Sequence, residues 1–144
     1  RQLRLAVSLN APNDEVRQSI MPVNRAEPLA DLRAAMDAWP AGDRLPILVE
    51  YVLIPGVNNA PGHAREVADF LAGLSVNLNV IPYNPIRDSP WPAPTESEVI
   101  AFCEEARSAG LRTKCRRTMG RDAMAACGQL GNPKLKRERQ RGSR

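Results

Sequence analysis

Aromatic residues are scarce in this chain, at two Trp, two Tyr and two Phe in 144 residues. Bulky rings therefore cannot fill a core, and aliphatic side chains must supply most of the burial. Long hydrophobic runs are missing too. No uninterrupted apolar stretch approaches the ~20 residues that cross a bilayer as a helix, and no signal-peptide pattern is visible. A cytoplasmic protein without a membrane partner is expected. The three cysteines, Cys103, Cys115 and Cys127, are too far apart to form a disulfide framework or a CxxC metal site from sequence neighbours. No metal ligand is expected in this chain. The single histidine, His63, follows Pro61-Gly62 where a helix should start and reads as a solvated first-turn residue. Also absent are a Ser-His-Asp pattern, a phosphate-binding glycine loop and a zinc motif.

What is present suffices for one domain. The apolar share of 43% is ordinary, and a chain of this length buries roughly 70% of the surface it exposes when unfolded. The net charge of +4 hides an asymmetry. Residues 1–110 hold nine Lys/Arg against fourteen Asp/Glu, whereas residues 111–144 hold eleven against two. Such a basic end has the electrostatic footprint of a polyanion-binding surface, although residues 134–144 read equally well as a solvated tail. Arg112, Lys114, Arg116, Arg117 and Arg121 are harder to dismiss, because they lie within and just after an expected strand.

Four segments have strand character. Leu3–Leu9 alternates and then runs apolar, Ile47–Ile54 is β-branched and nearly continuous, and Val76–Ile81 alternates cleanly. Leu111–Arg117 sets Leu111, Thr113 and Cys115 against Arg112, Lys114 and Arg116, so one side can pack while the other meets solvent or ligand. Between strands one and two, a short turn of helix is expected over 14–20. A longer one follows, with Pro28 in its first turn, Leu29, Leu32, Met36 and Trp39 as its stripe, and Pro40 as its end. Ala64, Val67, Ala68, Leu71 and Leu74 form the next stripe. Thr95 and Glu98 then make a capping box for a helix that buries Val99, Phe102, Cys103 and Ala106 and stops at Gly110. Cys103 is accordingly a core residue.

The order β-α-β-α-β-α-β predicts parallel pairing through right-handed crossovers. Four strands do not close a barrel, so the chain is either a small open α/β domain or the later part of something larger. A start at "RQLRLAVSL", with no Met, favours a fragment. In such folds ligands bind at the carboxyl ends of strands. Ser8-Leu9-Asn10, Pro55–Asn59, Pro82–Pro85 and the stretch after strand four are therefore candidate ligand contacts, each also readable as a turn. Glu50, inside an apolar strand, needs either a structural ion pair or a ligand. Cys127 stands among small residues with Arg116, Arg117 and Arg121 near in sequence. On composition alone it is either a packed hydrophobe or the one plausible nucleophile.

Four stretches in order, "LAVSLNAPNDEVRQSIMPVNR" (5–25), "EYVLIPGVNN" (50–59), "NVIPYNP" (79–85) and "RRTMGRDAMAACGQL" (116–130), resemble the RlmN/Cfr family of radical S-adenosylmethionine RNA adenine methyltransferases over about residues 3–132. The resemblance implies the later half of a partial (β/α)6 TIM-like barrel over 1–118 and a methyl-carrying cysteine loop over 119–132; by composition, a disordered basic tail is expected over 133–144. It implies that Cys127 is the S-methylcysteine. In that family one S-adenosylmethionine methylates this cysteine, and a second is cleaved reductively at a 4Fe-4S cluster. The resulting radical activates the methyl group for addition to carbon 2 or carbon 8 of an RNA adenine.

Ser8, Leu9, Asn10 and Asn84 are implied as the S-adenosylmethionine pocket, while the charge of the basic end makes Arg116, Arg117 and Arg121 the expected RNA contacts. The implied partners are 23S ribosomal RNA, with transfer RNA an open alternative, and a reductant such as flavodoxin. The implied state is a monomer. Asn10 stands where many members have histidine. The family's CxxxCxxC motif, its Gly-Glu cofactor contact and its resolving cysteine are absent, and belong upstream of Arg1. The chain alone is therefore expected to be inactive, and a non-catalytic RNA-binding remnant is the alternative.

Overall fold

The stretch ILVEYVL, with β-branched Ile47, Val49 and Val52, forms a central strand of the sheet, β2 (Ile47–Leu53). The computed structural model describes residues 3–116. The expected cysteine loop over 119–132 and basic tail over 133–144 lie outside the described residues. β2 pairs in parallel with β1 (Ala6–Ser8) on one side and β3 (Val76–Pro82) on the other, and β4 (Thr113–Cys115) pairs in parallel with β3. The strand order is β1-β2-β3-β4. Between them run α1 (Asp14–Ile20), a 3-10 turn (Pro22–Arg25), α2 (Leu29–Ala38), α3 (His63–Leu71) and α4 (Glu96–Ser108).

Side chains alternate across a strand, so the register assigns each residue to a face. Val7, Ile47, Val49, Tyr51, Leu53, Val76, Leu78 and Val80 are buried on one face. The helices bring Leu29 and Met36 from α2, Val67 and Leu71 from α3, and Val99, Phe102, Cys103 and Ala106 from α4 into the same core. With few rings available, Tyr51 and Phe102 stack on each other at 4.9 Å between centroids. The opposite face carries Ser8, Glu50, Asn79 and Lys114 in a single cross-strand row.

Local chemistry sets the ends of α4. Thr95 Oγ1 accepts from the Glu98 amide at 3.2 Å, Glu98 Oε2 accepts from the Thr95 amide at 2.7 Å, and Gly110 turns the chain at φ +95°. Several expected boundaries shift. β1 and β4 shrink to three residues each, because a sheet-edge strand has a partner on one side only. Pro28 is the N-cap of α2 rather than a first-turn residue, and Leu74 lies beyond the end of α3. The 3-10 turn had no periodic signal to announce it.

Candidate functional site

The end of β1 is built to be held still. Asn10 adopts φ +58°, a left-handed conformation that Asn tolerates better than most residues. Its Oδ1 accepts from the Val52 amide at 2.9 Å, so its side chain continues the ladder that the backbone has left. Beneath it lies Arg17 of α1, only 6% exposed. Its guanidinium donates to the Leu9 carbonyl at 3.2 Å, the Ser8 carbonyl at 3.4 Å, Asn24 Oδ1 at 3.0 Å and the Glu27 carbonyl at 3.3 Å. Burial lowers the pKa of Arg17, while the charges of Asp14 and Glu27 act in the opposite direction. Asp14 Oδ1 accepts from the Leu29 amide at 2.8 Å and so secures the start of α2 to the same corner.

Asn58, fully buried, fastens β1 to β2. Its Nδ2 donates to the carbonyls of Asn10 at 2.8 Å and Val52 at 2.7 Å, its Oδ1 accepts from the Ile54 amide at 2.7 Å, and its carbonyl accepts from the Tyr51 hydroxyl at 2.7 Å. Burial pushes the Tyr51 phenol up, and the charge of Glu66 adds to the effect. Arg17 was not singled out by sequence reasoning, and Asn58, expected only as part of the candidate ligand stretch Pro55–Asn59, bonds within the protein instead. A buried arginine on a short helix and the first Asn of "VNN" give no local sign of which distant carbonyls they meet.

The expected pocket residues occupy the carboxyl ends of the strands. Ser8 is exposed and Asn10 half-buried. Leu9 puts its side chain into the core, and both its backbone groups are engaged, with the amide donating to the Glu50 carbonyl at 3.0 Å. Asn84 is exposed just beyond β3, after Tyr83, whose ring meets Trp91 edge-on at 5.7 Å. Glu50 is half-buried on the helix-free face, and no ion pair or hydrogen bond reaches its carboxylate among the described residues. The expected structural ion pair is thus not made there.

Arg116 is exposed and lines a groove between α4 and β4 with Glu96, Ile100, Arg107 and Cys115. Arg117, Arg121 and Cys127 lie outside the described residues. His63 opens α3 half-buried, its Nδ1 accepting from the Ala60 amide at 3.1 Å, so it is less solvated than expected.

Cys103 has the environment of a packed thiol. It is fully buried, and burial together with the adjacent Cys115 thiol pushes its pKa up to about 12, against a smaller opposing effect of Arg107. In the native protein at pH 8, iodoacetamide should alkylate Cys103 at least about 100-fold more slowly than after unfolding, as read by peptide mass spectrometry. Comparable rates would contradict this burial. The stability linked to this thiol is whole below its ordinary range near 9 and is lost as pH rises toward 12, because the unfolded chain releases the proton first.

Comparison with known proteins bears on the whole arrangement. No family model matches. A probable dual-specificity RNA methyltransferase RlmN of Protochlamydia amoebophila is 44% identical over 94% of this chain and 38% of its own length. A dual-specificity RNA methyltransferase RlmN of Sorangium cellulosum is 44% identical over 94% of this chain and 36% of its own. The chain is homologous to the C-terminal part of these RlmN proteins. It spans somewhat more than a third of the length of these RlmN relatives.

The crystal structure of a radical SAM methyltransferase from Sphaerobacter thermophilus superposes with a TM-score of 0.80 at 40% identity, over 89% of this chain and 38% of that one. A domain of a pyruvate-formate lyase-activating enzyme from Bacteroides vulgatus shares the fold alone, with a TM-score of 0.60 at 22% identity over 78% of this chain and 66% of that one. The expected fold class, parallel strands alternating with helices as in radical SAM methyltransferases, is the one observed.

Proposed function

We propose that this chain is the later part of a radical S-adenosylmethionine RNA methyltransferase, and that its strand ends form one wall of the S-adenosylmethionine pocket. The observation that carries the reading is the immobilised end of β1. Arg17, Asn58 and the Asn10 side chain fix Ser8 to Asn10 against a sheet face that no helix of the described residues covers. Polar atoms are gathered there and held in advance, as binding a polar small molecule demands.

The residues present suit S-adenosylmethionine. Ser8 offers a hydroxyl, Asn84 an exposed carboxamide, and Asn79 a buried oxygen without a partner among the described residues. When bound, that molecule supplies the methyl group. The residues of this chain bind and orient it, with Cys127 as the methyl carrier and Arg116, Arg117 and Arg121 drawing the RNA phosphates. The described residues do not suit an iron-sulfur cluster. They contain only two cysteines, one of them fully buried, and no cluster of three or more potential metal ligands. The cluster ligands would belong to an upstream part of the enzyme.

The test uses the complete product of the gene, incubated with S-adenosylmethionine, a strong reductant and unmodified 23S ribosomal RNA. Nucleoside mass spectrometry should reveal adenosine methylated on carbon, and the 144-residue chain alone should yield none. RNA binding by the complete product without methylated adenosine would overturn the reading in favour of a non-catalytic RNA-binding remnant.

A further inference from the structure

Among the described strand residues on the helix-free face, Asn79 alone is buried. Its neighbours Leu78 and Val80 point into the core, fully buried, so alternation turns Asn79 the other way, into the row Ser8–Glu50–Asn79–Lys114. The others of that row are exposed or half-buried, whereas Asn79 is 4% exposed and its Oδ1 has no hydrogen-bond partner among the described residues. Native proteins seldom leave a buried acceptor in that condition, so a donor from a water, an ion or a ligand is expected there.

The position of the orphaned oxygen narrows the choice of donor. β2 and β3 each continue three residues beyond this row, to Leu53 and Pro82, while β1 ends within it at Ser8. A ligand resting on Ser8 therefore has the upper parts of β2 and β3 rising beside it. Asn79 stands two strands from Ser8, about 10 Å away at the usual spacing, a distance that an adenosine spans. A carboxamide presents an acceptor beside a donor, the complement of the amino group and ring nitrogen on the edge of adenine. We infer that Asn79 recognises the adenine of bound S-adenosylmethionine, its Oδ1 accepting a hydrogen bond from the exocyclic amine. This assignment rests on the proposed function above.

The test measures binding rather than turnover. The complete gene product is titrated calorimetrically with S-adenosylhomocysteine and with S-inosylhomocysteine, in which an oxygen replaces the amine. The wild type should favour the adenosyl compound by at least about 10-fold, because a pocket built to accept from the amine is left with an unpaired acceptor by the analogue. Asn79→Leu should bind the two within about threefold of each other. Should the Leu variant fail to fold, Asn79→Ala withdraws the carboxamide without adding apolar bulk and should lose the preference likewise.

An undiminished preference in a folded variant would overturn the inference while leaving the proposed function standing. So would a variant that weakens RNA binding but not the preference, since the contact would then be to the RNA. A wild type that binds neither compound would overturn the function and the inference together.

Discussion

Replacing Cys127 with Ala in the complete gene product should lower methyl transfer to RNA by more than about 1,000-fold, because no other side chain takes over the role of a covalent carrier. Binding of S-adenosylhomocysteine should stay within about threefold of the wild type. Peptide mass spectrometry of the wild type should find an added methyl group on the peptide containing Cys127 and on neither of the peptides containing Cys103 and Cys115. The contrasting substitution is Cys103→Ala. That sulfur is fully buried among Val99, Phe102 and Ala106, so its loss should cost about 1 kcal/mol of stability through a small cavity and spare turnover. Methylation at a normal rate by Cys127→Ala would refute the carrier role.

Asn58→Leu should cost about 3 kcal/mol of folding free energy, read as a lowered midpoint in urea denaturation with an unchanged slope. Leucine keeps the branched shape but is bulkier, so the loss combines the unpaired polar groups with some overpacking. The carbonyls of Asn10 and Val52 and the amide of Ile54 would be left without the side-chain partners they have now, at the ends of two strands. Asn58→Asp keeps the acceptor for Ile54 but places a carboxylate against two carbonyl oxygens, and should be at least as damaging. A loss below about 1 kcal/mol in the Leu variant would mean that the strand ends are held chiefly by the sheet ladder.

Legibility in the sequence followed the reach of the interactions. β2, β3 and α4 were readable because their signals are local, namely a β-branched run, an alternation, and a capping box ended by a glycine. β1 and β4 were overestimated because composition says nothing of where a neighbouring strand stops pairing. The candidate pocket could be located from strand ends and from the four-motif resemblance. Its internal wiring could not, since the Asn10 contact with Val52 and the Asn58 contact with Asn10 join segments 42 and 48 residues apart. Asn79 was hidden for a different reason. In "VNLNVI" both asparagines look like the outward half of an alternating strand, and only the register shows that one of them is enclosed.

The corner around Arg17 has a bearing on how the chain comes off the ribosome. All four acceptors of its guanidinium lie within ten residues of it, so they can be gathered while closing only short loops, as soon as Glu27 has emerged. The Asn58 clasp must wait for about thirty further residues of synthesis, as must the Val52 amide from which Asn10 Oδ1 accepts. The Arg17 corner thus draws only on nearby chain, whereas the latch that joins it to β2 needs the second strand.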